Sequence, residues 1–157
     1  MTDNKRRIFL KGTLAAGTLG IAAGAGLLTP RLVLAAWPKS AFEAKSVDGA
    51  LSALLGSGST TASGAIKVKA PDIAENGSVV PVTVSTDMDG VESITILAAA
   101  NASPLAASFA LGSTAKGFVS TRIKMAKTSD VVAVVKAGGK LYSAKKNVKV
   151  TIGGCGG

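Results

Sequence analysis

The sequence predicts an all-β protein: an immunoglobulin-like antiparallel β-sandwich with an N-terminal helix, preceded by a cleaved signal peptide. Three observations carry this. Apolar residues recur at every second position in one segment after another from Ile66 onward. Turn residues separate these segments at short intervals, with no helical crossover between them. Of the 157 residues, 47% are apolar but only 4% aromatic, so the core is left to Val, Ile, Leu and Ala. That supply of apolar sequence suits one folded domain, expected over residues 37–152, between a leader (1–36) and a short tail (153–157).

The leader opens with Lys5-Arg6-Arg7-Ile8-Phe9-Leu10-Lys11, an arginine pair ahead of an apolar pair and a lysine. No charge follows from Gly12 to Pro30, and the small residues Val33-Leu34-Ala35-Ala36 offer a cleavage site after Ala35 or Ala36. This pattern is that of a twin-arginine export signal, the route that carries folded cargo, and it places the mature chain in the periplasm. The alternative is a retained membrane anchor. Five glycines in the apolar stretch and Arg31 just beyond it speak against an anchor.

Within the mature chain, Ser40 and Glu43 have the spacing of a capping box, and Val47, Ala50, Leu51, Leu54 and Leu55 form one apolar stripe closed by Gly56. One helix is therefore expected from Ser40 to Gly56, followed by a Gly/Ser/Thr linker over 57–64. Then the period becomes two. Ile66 and Val68 alternate with lysines; Val80, Val82 and Val84 alternate around Thr83 and Ser85; Ile94 and Ile96 flank Thr95. Val119, Thr121, Ile123 and Met125 oppose Ser120, Arg122 and Lys124. Pro81 confines its strand to an edge or demands a bulge, because it has no N–H for a ladder. Val131–Val135 is apolar on both faces, Gly138-Gly139 makes a tight hairpin to Leu141-Tyr142, and a last strand carries Val148, Val150 and Ile152. About seven strands result.

Composition excludes much chemistry. With no histidine there is no Ser-His-Asp or Cys-His unit and no His-ligated metal, and a single cysteine allows no internal disulfide and no zinc cluster. No metal and no cofactor are expected. The net charge of +9 suggests nucleic acid until it is divided: Lys5, Arg6, Arg7, Lys11 and Arg31 against Asp3 leave the leader +4 and the rest only +5. The remaining lysines are dispersed, with no aromatic platform among them, so a nucleic-acid partner is not expected.

The one thiol, Cys155, stands in Gly153-Gly154-Cys155-Gly156-Gly157, where no neighbour has a side chain. Such a run contributes no apolar surface and leaves φ/ψ space open, so it reads as a tether that displays the thiol. Two uses are open. One is a swinging carrier, in which a covalently held group is presented to enzymes that supply the chemistry. The other is an exported structural or assembly module that uses Cys155 for an intermolecular disulfide. A thiol enzyme would need an activating base or cation that the sequence does not place beside Cys155.

Taken together, Trp37-Pro38, Ala41-Phe42, Pro71-Asp72-Ile73-Ala74-Glu75-Asn76-Gly77, Thr121-Arg122-Ile123-Lys124-Met125-Ala126 and Val150-Thr151-Ile152 before the Gly-Gly-Cys-Gly-Gly end resemble the SoxY family, sulfur carriers of thiosulfate oxidation. The resemblance implies a non-catalytic carrier that forms a heterodimer with SoxZ. The SoxXA c-type cytochrome joins thiosulfate to the cysteine, SoxB hydrolyses off sulfate, and further partners oxidise or accept the sulfane sulfur. By this resemblance Cys155 is the attachment site and Gly153, Gly154, Gly156 and Gly157 its tether. Lys145, Lys146 and Lys149 either steer the loaded, anionic arm or form a solvated face, and Arg122 has the same two readings.

Overall fold

The computed structural model describes residues 38–151; the predicted leader, Trp37 and the tail from Ile152 onward lie outside the described residues. The elements run α1 (Lys39–Glu43), α2 (Val47–Leu55), β1 (Thr61–Ala62), β2 (Ile66–Lys69), β3 (Ile73–Ala74), β4 (Val80–Thr86), β5 (Val91–Ala98), β6 (Leu105–Ala110), β7 (Phe118–Ile123), β8 (Ser129–Ala137) and β9 (Lys140–Val150). The described chain is mostly β, in two sheets. The larger has the order β1-β9-β8-β5-β6, with β3 also paired to β9; the smaller has the order β2-β4-β7.

Between the sheets lies one core. Ile66, Val80, Val82, Val84, Val119 and Ile123 from the smaller sheet meet Ile94, Ile96, Val131, Ala133, Val135 and Val148 from the larger. The alternation seen in sequence assigns these residues inward, as half-buried strands require. The opposite face of the larger sheet is also covered. There Ala41, Ala50 and Leu51 of the helices pack on Leu97, Leu105 and Val134. This explains why Val131–Val135 is apolar throughout: odd positions face the inter-sheet core and even ones face the helices.

Several expectations are corrected. The single helix from Ser40 to Gly56 is two helices, broken where Ala44 turns extended (ψ 143°). No capping box forms, because Ser40 lies inside α1 and no side chain caps that helix. Ser46 instead caps α2, its hydroxyl accepting from the Gly49 N–H at 3.1 Å. The break lets Ala41 and Leu51 reach the same small core from two directions. Gly56 does end α2, in the left-handed conformation at φ 79°.

The linker over 57–64 contains β1, paired in parallel with Tyr142 and Ser143. Pro81 sits in the central strand of the smaller sheet rather than in an edge strand, with no register shift. The reason is local: β2 reaches only as far as the Lys69–Thr83 pair, so Pro81 has a strand partner on the β7 side alone, at Arg122. Strand β7 ends at Ile123, although Met125 beyond it is fully buried. Gly138 and Gly139, at φ 55° and 72°, make the expected hairpin. The two strands expected after it are one, β9, running unbroken from Lys140 to Val150.

Two bulges aim particular side chains. The β5–β6 register shifts after Ile96–Ala107 so that Leu97 pairs with Leu105, which carries Leu105 to the helix side. The shift between Val91 and Ser93 on the β8 side sets Glu92 outside the ladder. Its carboxylate accepts from Lys136 Nζ at 2.7 Å and from the Gly139 N–H at 2.9 Å, tying the start of β5 to the β8–β9 turn. The Lys136 hydrogen bond, followed by that of Gly139, holds the Glu92 carboxyl below its ordinary range. A depressed folded pKa means stability that is present above the unfolded value and lost as pH falls through the folded one. Thermal melts of Glu92→Gln should accordingly show a shallower loss of Tm on acidification than the parent; parallel acid limbs would contradict it.

Among the described residues one buried side chain is unserved: the Ser129 hydroxyl of β8 has no hydrogen-bond partner there. An unpaired buried hydroxyl costs about 1–3 kcal/mol, so Ser129→Ala should raise stability by roughly 0.5–1 kcal/mol in denaturant unfolding, the smaller figure allowing for alanine's weaker strand preference. A destabilised variant would show that the hydroxyl has a partner in solution.

Candidate functional site

The candidate site is the end of the molecule from which the C-terminal segment departs. Three loops and the end of β9 meet there. The Met125 N–H donates to the Gly77 carbonyl at 2.7 Å, bringing the 124–128 loop to the β3–β4 connection. Asn101 bridges to the same loop, its Nδ2 donating to the Lys124 carbonyl at 2.7 Å and its Oδ1 accepting from the Ala126 N–H at 2.9 Å. Thr128 bonds the backbone of Val150, and Thr151 bonds Ala74 and Glu75. Residue 151 is therefore fixed to the body of the protein, and Cys155 is four residues further on.

The four cations singled out in sequence are dispersed. Lys145 lies 3.6 Å from Asp130, whose other oxygen takes a hydrogen bond from Asn147. Lys146 is bound to Asp72, at the entrance to β3. That contact, first by hydrogen bonding and then by charge, lowers the Asp72 carboxyl below its ordinary range. Lys146 occupies an inward-facing register position, paired with core residue Val131, so a charge stands where the alternation of β9 calls for an apolar residue. Inward charges of this sort discourage edge-to-edge pairing of an outer strand. Arg122 projects from the outer face of the smaller sheet, in a different layer. Lys149 lies two residues before Thr151 and makes no salt bridge among the described residues, as do Lys124 and Lys127 of the adjoining loop.

Cys155, Gly153, Gly154, Gly156 and Gly157 lie outside the described residues. Among the described residues no group of three or more acidic or thiol side chains could hold a metal, and no helix is long and apolar enough to cross a membrane. What the arrangement can do chemically is thus to fix one end of a short glycine-rich segment whose only reactive group is a thiol.

A family model described as "SoxY: Sulfur oxidation protein SoxY" matches residues 51–155, from α2 through to the cysteine. The chain belongs to the SoxY family. Among solved structures, the sulfur carrier protein SoxY from Chlorobium limicola f thiosulfatophilum is similar at 51% identity and a TM-score of 0.59, over 67% of this chain and 96% of that one. A superoxide reductase (neelaredoxin) from Ignicoccus hospitalis aligns at 18% identity and a TM-score of 0.48, over 54% of this chain and 79% of that one. No curated protein matches the sequence. The family match runs as far as Cys155, so the thiol and Gly153-Gly154 before it fall inside the shared region and Gly156-Gly157 fall after it.

Asn101 and Thr128 were not singled out from sequence. Their partners lie 22 to 25 residues away in the chain, so no local spacing signals them.

Proposed function

We propose that the protein is a non-catalytic carrier in thiosulfate oxidation, holding thiosulfate-derived sulfur covalently on Cys155 at the end of a Gly153–Gly157 tether. The observation that carries this reading is membership of the SoxY family through a match that runs to the chain's one thiol. Loading forms a sulfur–sulfur bond between the Cys155 thiolate and the outer sulfur of thiosulfate; the thiol proton goes to solvent and two electrons go to a c-type cytochrome of the SoxXA kind. Hydrolysis of the S-thiosulfonate, the part of a SoxB-type enzyme, adds water across the sulfur–sulfonate bond, releasing sulfate and leaving a persulfide on Cys155. Both steps make and break bonds at the sulfur on Cys155, which suits a carrier whose enzymes supply the chemistry.

The same reading includes a heterodimer with SoxZ, export by the twin-arginine route to the periplasm with cleavage after Ala35 or Ala36, and an immunoglobulin-like identity for the sandwich, for which two sheets sharing one core are the support. Lys149, two residues before Thr151, would favour an anionic conjugate on the tail, an effect that salt should screen. Lys145, exposed and already paired with Asp130, is better read as solvated surface, and Lys146 is committed to Asp72. The second reading, Cys155 as an intermolecular disulfide, stays on the strength of the same lone thiol.

Intact-mass measurement separates the two. After incubation with thiosulfate and the cytochrome partner, a gain of one S2O3 unit less the thiol proton, reversible by reductant, supports the carrier; a covalent dimer on a non-reducing gel, with no thiosulfate adduct, supports the disulfide.

A further inference from the structure

The smaller sheet turns one face to the inter-sheet core and the other outward, and the helices pack on the far side of the larger sheet instead of on it. Strand register defines this outer face row by row. Lys67, Ser85 and Phe118 stand side by side across β2, β4 and β7; Lys69, Thr83 and Ser120 form the next row; Pro81 and Arg122 form the last. Every charge in these rows is positive. Lys67, Lys69 and Arg122 are exposed and make no salt bridge among the described residues, where each ion pair joins a lysine and an acid elsewhere on the molecule. The acids that follow two of the strands, Asp72 and Asp87, lie in the connections, and Asp72 is bound to Lys146.

A face that serves solubility alone mixes the two signs. This one carries a single sign at both edges, with hydroxyls between them: the Thr83 and Ser120 side chains share a hydrogen bond at 3.0 Å. At one corner Phe118 is 56% exposed, an apolar contact on an otherwise polar surface. Three strands about 4.8 Å apart and about six residues long make a face of roughly 15 by 20 Å, or about 300 Å². Stable complexes bury about 800 Å² on each partner, and charge is depleted from their centres. Both comparisons speak against a permanent subunit here and fit a brief, charge-steered encounter of the kind redox proteins make.

We infer that the outer face of the smaller sheet is a docking surface for the redox protein that accepts the electrons released on loading, and that this protein presents carboxylates to Lys67, Lys69 and Arg122 and an apolar contact to Phe118. The inference rests on the carrier reading for the partner's identity. Fixed charges of one sign raise the rate of encounter without a large interface, and they act over about one Debye length, so salt removes the advantage. Nucleic acid fits this face less well, because sheets that bind single strands stack bases on several aromatic rings and this one offers a single ring.

The experiment uses the full chain with a SoxXA-type cytochrome as the probe. Titration with the cytochrome at low salt should perturb amide signals of β2, β4 and β7 and spare those of β1 and β9. Loading is then followed by intact mass at about 20 mM and about 500 mM salt. The triple variant Lys67→Gln, Lys69→Gln, Arg122→Gln should lose about tenfold in kcat/KM at the lower salt with kcat unchanged, and the difference should close at the higher. A control that removes three charges from other surfaces, Lys45→Gln, Lys140→Gln, Lys145→Gln, should stay within about twofold of the parent. Phe118→Ala should raise KM severalfold at either salt. Equal losses in the two triple variants would reduce the effect to net charge and overturn the docking surface, and so would a loss that persists at high salt. Should the first triple variant fail to fold, the amide map of the parent decides alone, and unperturbed β2, β4 and β7 signals overturn the inference. Phosphatidylglycerol vesicles and a single-stranded oligonucleotide are run beside the cytochrome; perturbation of this face by either of them and not by the cytochrome overturns it as well. A perturbed face in a protein that never gains a thiosulfate adduct would leave the docking surface standing and defeat the carrier reading, whereas an adduct formed at a rate indifferent to the three charges would do the reverse.

Discussion

Cys155→Ser is expected to abolish thiosulfate-dependent mass gain altogether while leaving the melting temperature unchanged. The nucleophile in such a step is a thiolate, and a free cysteine supplies a useful fraction of it near neutral pH, with a pKa of about 8.5. A serine hydroxyl supplies essentially none, and no histidine exists in the chain to activate it. Because the protein has one cysteine, no second thiol can take over the load. Stability should be indifferent because the inter-sheet core and the helix-side core are built from residues that all precede Cys155 in the chain, and its glycine neighbours have no side chains to pack. Intact mass and a thermal melt on the same sample check both halves. An adduct surviving on the serine variant would move the attachment site, and a lost melting transition would assign Cys155 to the fold.

The largest expected change in stability comes from Ile96→Ala. Ile96 is fully buried on β5, which lies between β8 and β6 in the larger sheet and faces the inter-sheet core. Truncation removes apolar contacts to both layers and leaves a cavity that two hydrogen-bonded neighbours prevent from collapsing, a loss of about 2–5 kcal/mol. For a domain of this size that corresponds to a fall in Tm of roughly 10–20 °C. By contrast, breaking the exposed Lys145–Asp130 pair should cost less than about 1 kcal/mol. Denaturant unfolding of the two variants side by side decides the order. A mild Ile96→Ala would mean that the sheets slide together to refill the space.

How much was legible in sequence depended on how far each signal reached. The strands around Val82, Ile94 and Ile123 were visible because apolar residues recur there at every second position, and those residues face the inter-sheet core as expected. Strand β6 was not anticipated: Leu105-Ala-Ala-Ser-Phe-Ala has no alternation, and its place follows from pairing with β5 across a bulge. The unity of β9 was hidden by Lys145-Lys146, because one of the two lysines takes an inward register position and breaks the pattern at its middle. In the helical segment the Ser40–Glu43 spacing was genuine but unused, since Ser46 sits where a cap lets both helices reach the sheet.

The sequence by itself determined the chemistry of the candidate site. One thiol, no histidine and four glycines around that thiol are facts of composition, and no packing can add a nucleophile or a base that is not there. It determined the β character too, because a period of two suits a pleated strand and not a helix. Only the tertiary structure decided how the end of β9 is held. Thr128, Ala74 and Glu75 are 22 to 77 residues from the atoms they hold at Val150 and Thr151. A hydrogen bond between residues so far apart exists only when other contacts have brought their strands together, so no spacing along the chain could reveal it. The same holds for the lysines: whether each is paired with an aspartate or left free beside the exit is set by strand register, which the whole core fixes at once.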